Sequence, residues 1–223
     1  MNTQALNAIK IPAAPLVAAV AQGARHSYWS MAAHWSSAAA VLLAAGSALG
    51  REWVEDSVIR AQLMTVHQQA GLFVLLALAW RLGVRFSKGL QDHAGPMHPL
   101  MRWMAHLAHL ALYAQLLLLP LLGLAVCSAS AMHVSFFGLF QLPSVIQDDP
   151  DLAATLADGH VWAAWVMLAL VAAHLAAALW HHLIRRDNVL AAMLPWVQRR
   201  PPKAHAATDA GPEAGQRSLQ GGD

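Results

Sequence analysis

Four long apolar runs constrain this chain more than any other feature of its sequence. They lie near residues 30–49, 62–83, 104–128 and 160–183 of the 223 residues. A helix needs roughly 20 apolar residues to cross the hydrocarbon core of a bilayer, and lipid offers the backbone no hydrogen-bond partners. The runs therefore predict an all-α integral membrane protein, a four-helix bundle, in which Pro120 kinks the third helix without ending it.

Composition supports a membrane protein and excludes several other classes. Hydrophobic residues make up 57% of the chain and charged residues 12%, against about 25% charged residues in an average soluble domain. Cys127 is the only cysteine, which excludes an intramolecular disulfide, a cysteine-based zinc site, an iron–sulfur cluster and a covalently attached c-type haem. No basic stripe with interleaved aromatic residues is present, so we expect no nucleic-acid partner.

The basic residues predict the orientation. With four spans both termini lie on one side, and that side would hold twelve lysines and arginines, whereas the other would hold only Arg51 and Arg60. Because basic residues accumulate on the cytoplasmic side, both termini are predicted to be cytoplasmic. The twelve residues are Lys10, Arg25, Arg81, Arg85, Lys88, Arg102, Arg185, Arg186, Arg199, Arg200, Lys203 and Arg217.

The two ends of the chain differ from its middle. We predict an N-terminal cytoplasmic extension over residues 1–25, a membrane domain over 26–195 and a disordered cytoplasmic tail over 196–223. The tail is rich in Pro, Gly, Ala and charged residues, a composition typical of disorder. The apolar stretch at 11–21 faintly resembles a signal peptide. Pro12 and Pro15 interrupt it, so an uncleaved extension is favoured and cleavage is the alternative.

Four histidines form a pattern of depths within the predicted helices. His160 and His174 are 14 residues apart, almost four helical turns, so they share a helix face about 21 Å apart along the axis. His67 lies at the outer end of the second run and His34 at the inner end of the first. Neutral imidazole is a natural axial ligand of haem iron. The depths therefore predict two bis-histidine haem sites, His67 with His160 and His34 with His174.

Small residues one turn beyond each histidine modestly support a flat macrocycle at these sites, because they permit close approach to the backbone. They are Ser37, Ala38, Ala70, Gly71, Ala163, Ala164, Ala177 and Ala178. A single histidine in a span is often only a buried polar side chain bonded to a neighbour. Four at paired depths favour ligands, since ligand-capable residues inside a membrane are costly.

His106 and His109, one turn apart near the inner end of the third run, are secondary candidates together with Arg102. They are open to three interpretations: support of the inner haem or of a quinone or proton pocket, alternative iron ligands, or a plain interfacial pair. We expect the first, without iron ligation. His181 and His182 are expected to form a solvated cap. The histidines with no assigned role are His26, His93, His98, His133 and His205.

Short motifs accompany the histidines between residues 27 and 195. They are Ala33-His34-Trp35, Trp80-Arg81-Leu82, Met104-Ala105-His106-Leu107-Ala108-His109, Leu119-Pro120-Leu121-Leu122-Gly123, Phe136-Phe137-Gly138-Leu139-Phe140, His174-Leu175-Ala176-Ala177-Ala178 and Met193-Leu194-Pro195. Together they resemble the bacterial cytochrome b561 family, some members of which are superoxide:ubiquinone oxidoreductases.

The resemblance implies two haem b cofactors whose axial ligands are His34, His67, His160 and His174. It also implies ubiquinone as the electron partner, superoxide as an outer donor in some members, and a multi-pass position in the bacterial inner membrane. The predicted function is transmembrane electron transfer by a quinone-linked haem oxidoreductase, with no catalytic residue assigned.

Two other functions remain open. One is a di-haem subunit that anchors a hydrogenase or dehydrogenase as its redox partner protein and passes its electrons to quinone. The other is a haem-free structural membrane protein. Arg51 and Arg60 could attract an anionic donor, contact a haem propionate or simply be solvated.

Overall fold

The computed structural model describes residues 28–88, 99–186 and 189–194. Four helices make up most of them: α1 Tyr28–Arg51, α2 Ser57–Lys88, α3 Pro99–Ala129 and α4 Pro150–Trp180. Each is long and apolar enough to cross a membrane. The prediction of a four-helix membrane bundle is therefore confirmed, whereas the side on which the termini lie stays a prediction.

Several predictions fall outside the described residues. These are the extension at 1–25, the tail at 196–223, and His26, His93, His98 and His205.

The helices extend beyond the apolar runs because polar residues cap them. Asp56 Oδ1 accepts hydrogen bonds from the backbone N–H groups of Val58 and Ile59, both at 2.9 Å, at the start of α2. Asp149 caps α4 in the same way by accepting from the Leu152 N–H at 3.0 Å, and Pro150 occupies the first helical turn. Side-chain acceptors satisfy the unpaired N–H groups of a first turn. Hydropathy finds the apolar middle of a helix but not these polar turns.

The side of the bundle on which α1 begins and α4 ends is called the inner side here, and the opposite side the outer one. On the inner side, α4 and α1 are tied together. After Trp180 the helix widens into a π-helical turn, His181–Arg185, and ends at Arg186 in the left-handed conformation with φ 55°. A 3₁₀ turn follows at Leu190–Ala192. Just beyond it, the backbone carbonyl of Met193 accepts a 2.9 Å hydrogen bond from Trp35 Nε1.

Within α3, Pro120 lies inside the continuous helix. The expectation that this proline does not end the helix is confirmed.

An apolar layer lies at mid-height in the bundle, where α1 packs on α2, α2 on α3 and α3 on α4. Its members are Ala40, Val74, Leu78, Leu116 and Met167. Val74 follows His67 by seven residues, and Met167 is seven residues from both His160 and His174. Seven residues span about 10 Å of helix, so the layer separates the two depths at which the histidines lie.

The outward faces of the helices are apolar as well. Large side chains such as Leu110 and Trp162 are 67% and 73% exposed. Contiguous exposed apolar surface of this kind suits contact with lipid.

A short hairpin closes the outer loop between α3 and α4, and the sequence did not predict it. Ser135–Phe136 pairs antiparallel with Phe140–Gln141. Phe137 and Gly138 at its tip have φ values of 48° and 76°. Two consecutive positive φ values are typical of a type I′ hairpin turn.

Gln69 of α2 fixes this hairpin in place. Its Nε2 donates to the Ser135 carbonyl at 2.9 Å, and its Oε1 accepts from the Phe137 N–H at 3.0 Å. The hairpin is thereby held against α2 only two residues from His67.

Candidate functional site

The outer histidine pair brings α2 and α4 together. The ring centres of His67 and His160 are 5.9 Å apart, with the ring planes at 79°. His67 Nδ1 lies 2.9 Å from the carbonyl oxygen of Ala44 in α1. A carbonyl only accepts, so Nδ1 carries the proton and donates, which leaves Nε2 with a free lone pair. A backbone carbonyl orients metal-binding histidines in this way.

Helix α3 approaches the other ring of this pair through a glycine. A Cβ atom added at Gly123 would lie 3.3 Å from His160 Cε1, closer than side-chain atoms ordinarily pack. His160 Nδ1 is buried and makes no well-formed hydrogen bond within the described residues, although it interacts with the Leu119 carbonyl. The outer site is therefore tight against α3 and leaves one ring nitrogen incompletely satisfied.

The inner site gathers more polar groups. The ring centres of His34 and His174 are 6.3 Å apart, and His109 lies 5.5 Å from His174. Arg81 Nη2 donates to His34 Nδ1 at 2.5 Å, and its guanidinium carbon is 5.5 Å from the centre of the Tyr113 ring. A guanidinium is always charged and only donates. The inner site thus contains a fixed positive charge.

The two secondary candidates His106 and His109 have different surroundings in the structure. Both side chains are exposed, but His106 Nδ1 donates back to the Arg102 carbonyl at 2.7 Å, so the His106 side chain runs along its own helix. His109 instead faces His174. The structure therefore brings only His109 of this pair to the inner site.

His181 and His182, expected to form a solvated cap, are partly buried in the π-helical turn. Their neighbour Trp180 lies 5.4 Å from the His181 ring centre. The Arg185 guanidinium lies 5.7 Å from the Trp180 ring centre, so these side chains form one cluster at the inner end of α4.

An open pocket of ≈ 650 Å³ lies at the outer end of the bundle, beside the turn that carries His67. Arg51, Arg60 and His133 line it together with Glu55. Arg51 Nε is buried and has no hydrogen-bond partner in the described ranges. The pocket lining therefore has a positive balance of charge.

Sequence reasoning missed Arg81 as part of a site and gave His133 no role. For Arg81 a signal was present, because it follows His67 by 14 residues, the spacing that separates His160 from His174. It was counted with the inner surface charges, but it lies inside the bundle against His34. For His133 no local pattern marked its approach to the pocket.

The fold and the site define a four-helix membrane protein with two pairs of facing histidines in its interior. The sequence matches the family model described as prokaryotic cytochrome b561 over residues 25–196. The chain therefore belongs to the prokaryotic cytochrome b561 family. Membership makes it a membrane b-type cytochrome of bacteria that transfers electrons and uses haem b.

Relatives in other bacteria agree with this family. Cytochrome b561 homolog 1 of Escherichia coli (strain K12) is 31% identical, covering 73% of this chain and 92% of the relative. Cytochrome b561 homolog 2 of the same organism is 30% identical, covering 76% and 91%. A protein named probable superoxide oxidase CybB, from Yersinia pestis, is 26% identical, covering 77% and 96%.

Proposed function

We propose that this cytochrome carries two b haems, one between His67 and His160 and one between His34 and His174. Through them it conducts electrons across the bacterial inner membrane from an outer donor to ubiquinone. The observation that carries the proposal is the presence of two facing histidine pairs whose α4 members are 14 residues apart on one helix.

The spacing within each pair supports a bis-histidine haem. If one metal ion were held between two imidazoles with bonds of about 2.0–2.1 Å, as histidine makes to zinc, and about 1.1 Å from nitrogen to ring centre on each side, the ring centres would lie about 6.2–6.4 Å apart. The observed separations are 5.9 Å and 6.3 Å. The 5.5 Å between His109 and His174 is a poorer match, which favours His34 as the inner ligand and leaves His109 as a supporting residue.

The chain's own residues prepare the outer site. The Ala44 carbonyl holds His67 in the tautomer that presents Nε2, and Gly123 gives the His160 ring its place against α3. When bound, haem iron accepts and releases single electrons at a potential tuned by ligands, burial and nearby charge. The apolar layer around Val74 and Met167 lies between the two sites and offers water no hydrogen-bond partner.

The outer pocket favours a small anionic donor such as superoxide. Arg51 and Arg60 flank it close to His67, and clustered positive charge raises the local concentration of an anion. Two superoxide ions would each lose one electron and leave as O₂. One ubiquinone would take up both electrons and two protons to form ubiquinol. A relative's name, probable superoxide oxidase, points to the same donor.

The test uses the purified protein in detergent. A pyridine haemochrome assay should give two haems per chain. Under anaerobic stopped flow, a superoxide pulse should reduce the haems, and a short-chain ubiquinone should reoxidise them. The double variant Arg51→Gln/Arg60→Gln should be reduced more slowly by superoxide but reoxidised normally.

Other results would favour a different function or overturn the proposal. Two haems that superoxide does not reduce, together with co-purification of a dehydrogenase, would favour the electron-carrier subunit. A preparation without haem would overturn the proposal.

A further inference from the structure

Helices α2 and α4 place residues at the same two depths but fill the inner one differently. On α4 the positions 14 residues apart are both histidines, His160 and His174, whereas on α2 they are His67 and Arg81. The inner histidine that faces His174 comes from α1 instead, as His34. On α2, Arg81 thus occupies the position that corresponds in depth to the proposed axial ligand His174 on α4.

Arg81 lies among the inner histidines. It is partly buried, donates to His34 Nδ1 and lies over the Tyr113 ring. Its charge also acts on His174 and His109. It is therefore within electrostatic reach of the three histidines of the inner site.

No described carboxylate balances this charge. The seven acidic residues within the described ranges all lie toward the outer end of the bundle: Glu52, Glu55, Asp56, Asp148, Asp149, Asp151 and Asp158. A charge inside a membrane protein is costly unless a partner offsets it. The position of Arg81 therefore favours an anionic partner, and none of these seven described residues provides one.

The contact with His34 cannot persist once that ring ligates iron. A neutral imidazole bound through Nε2 carries its proton on Nδ1, and Arg81 has no acceptor for it. The guanidinium must then donate to another group. The two carboxylates that haem b brings with it are acceptors of the required charge.

We propose that Arg81 is the carboxylate partner of the inner haem and the fixed positive charge that holds its midpoint potential above that of the outer haem. Electrons would then move inward, from the outer haem to the inner one. The inference rests on the proposed two-haem function. The outer site supports the contrast, because His67 bonds there to a neutral backbone carbonyl and the nearest cations, Arg51 and Arg60, share an open pocket with Glu55.

The test is a spectroscopic redox titration of wild type, Arg81→Gln, Arg81→Lys and the control Arg85→Gln. Arg85 lies one turn further along α2 and is exposed. In Arg81→Gln the reduced-to-oxidised ratio of the inner haem at a fixed potential should fall about tenfold, which is a 59 mV lower midpoint for a one-electron couple. The outer haem should not shift, and Arg81→Lys and Arg85→Gln should stay within about twofold of wild type.

Each remaining result decides between the proposals. If Arg81→Gln loses the inner haem, retention of that haem at its wild-type potential in Arg81→Lys supports the role of the charge. Loss in both variants overturns it. An unshifted inner potential in Arg81→Gln with two haems bound overturns the inference and leaves the proposed function intact. Fewer than two haems in the wild type overturns the proposed function itself.

Discussion

The outer and inner sites hold the same kind of histidine pair in different surroundings. At the outer site the close neighbours are backbone: the Ala44 carbonyl on His67 and the bare Gly123 against His160. At the inner site they are side chains, Arg81 on His34 and His109 on His174. One fold therefore provides a neutral site and a charged site about 21 Å apart along α4.

The difference shows how a bundle with two similar histidine pairs can favour one direction of electron flow. Similar ring separations give two similar ligand pairs, so the pairs alone do not distinguish the sites. Neighbouring charge and hydrogen bonds tune haem potentials, and Arg81 places a charge directly against a ring of the inner pair. The following predictions test this contrast, from the largest expected effect to the smallest.

The terms inner and outer depend on the topology. The twelve-to-two distribution of basic residues predicts cytoplasmic termini. Alkaline phosphatase fused to the C-terminus should be inactive, whereas a fusion within the loop between α3 and α4 should be active. The reverse pattern would exchange the two sites and reverse the proposed direction of electron flow.

The axial histidines should fall into two groups. His160→Ala should remove one haem and His174→Ala the other, halving the haemochrome signal each time, because the two residues are too far apart to share an iron. His67→Ala should match the first and His34→Ala the second in low-temperature spectra.

The control for these variants is His182→Ala, which should keep both haems. If His109→Ala rather than His34→Ala removed the same component as His174→Ala, the inner ligand would have to be reassigned.

Gly123 offers a way to damage the outer site alone. In Gly123→Leu the new side chain would collide with the His160 ring, since even a Cβ would lie 3.3 Å from Cε1. Overpacking of this kind costs about 1–3 kcal/mol. Outer-haem occupancy should fall while the inner haem is kept, as measured by haemochrome and electron paramagnetic resonance.

Gly83→Leu is the matched control for Gly123, because a Cβ there meets no atom within 4 Å. Equal loss of both haems in Gly123→Leu would indicate general misfolding instead of a local effect on the outer site.

The smallest effect is expected from substitutions of His109 and His106, which should behave differently. His109→Gln should change the inner haem's potential or its exchange with quinone by up to about tenfold, the value of one hydrogen bond of 0.5–1.5 kcal/mol. His106→Gln should change neither, because that side chain bonds back to its own helix. Redox titration and stopped-flow reoxidation measure both. Identical behaviour of the two variants would return the pair to a plain interfacial role.

Much of the fold could be read from the sequence because lipid leaves the backbone few choices. Long apolar runs in a bilayer must be helical, and a fixed rise of 1.5 Å per residue converts sequence spacing into depth. That is why spacing alone could assign matching depths to His34 and His174 and to His67 and His160. The structure brings the rings of each pair together, and their ligation of iron remains a prediction. The hairpin that begins at Ser135–Phe136 was not predicted, because a glutamine from another helix holds it in place.

The sequence by itself determined the number of helices and the depth of each histidine. Only the tertiary structure decided which residues at one depth face each other, because that depends on how each helix is rotated about its axis. This rotation brings His109 to His174 while His106 stays outside. It also turns Arg81 inward to His34 and sets Gly123 opposite His160. Spacing along the chain determines the depth of each residue in the bundle, whereas packing between helices determines which way its side chain faces.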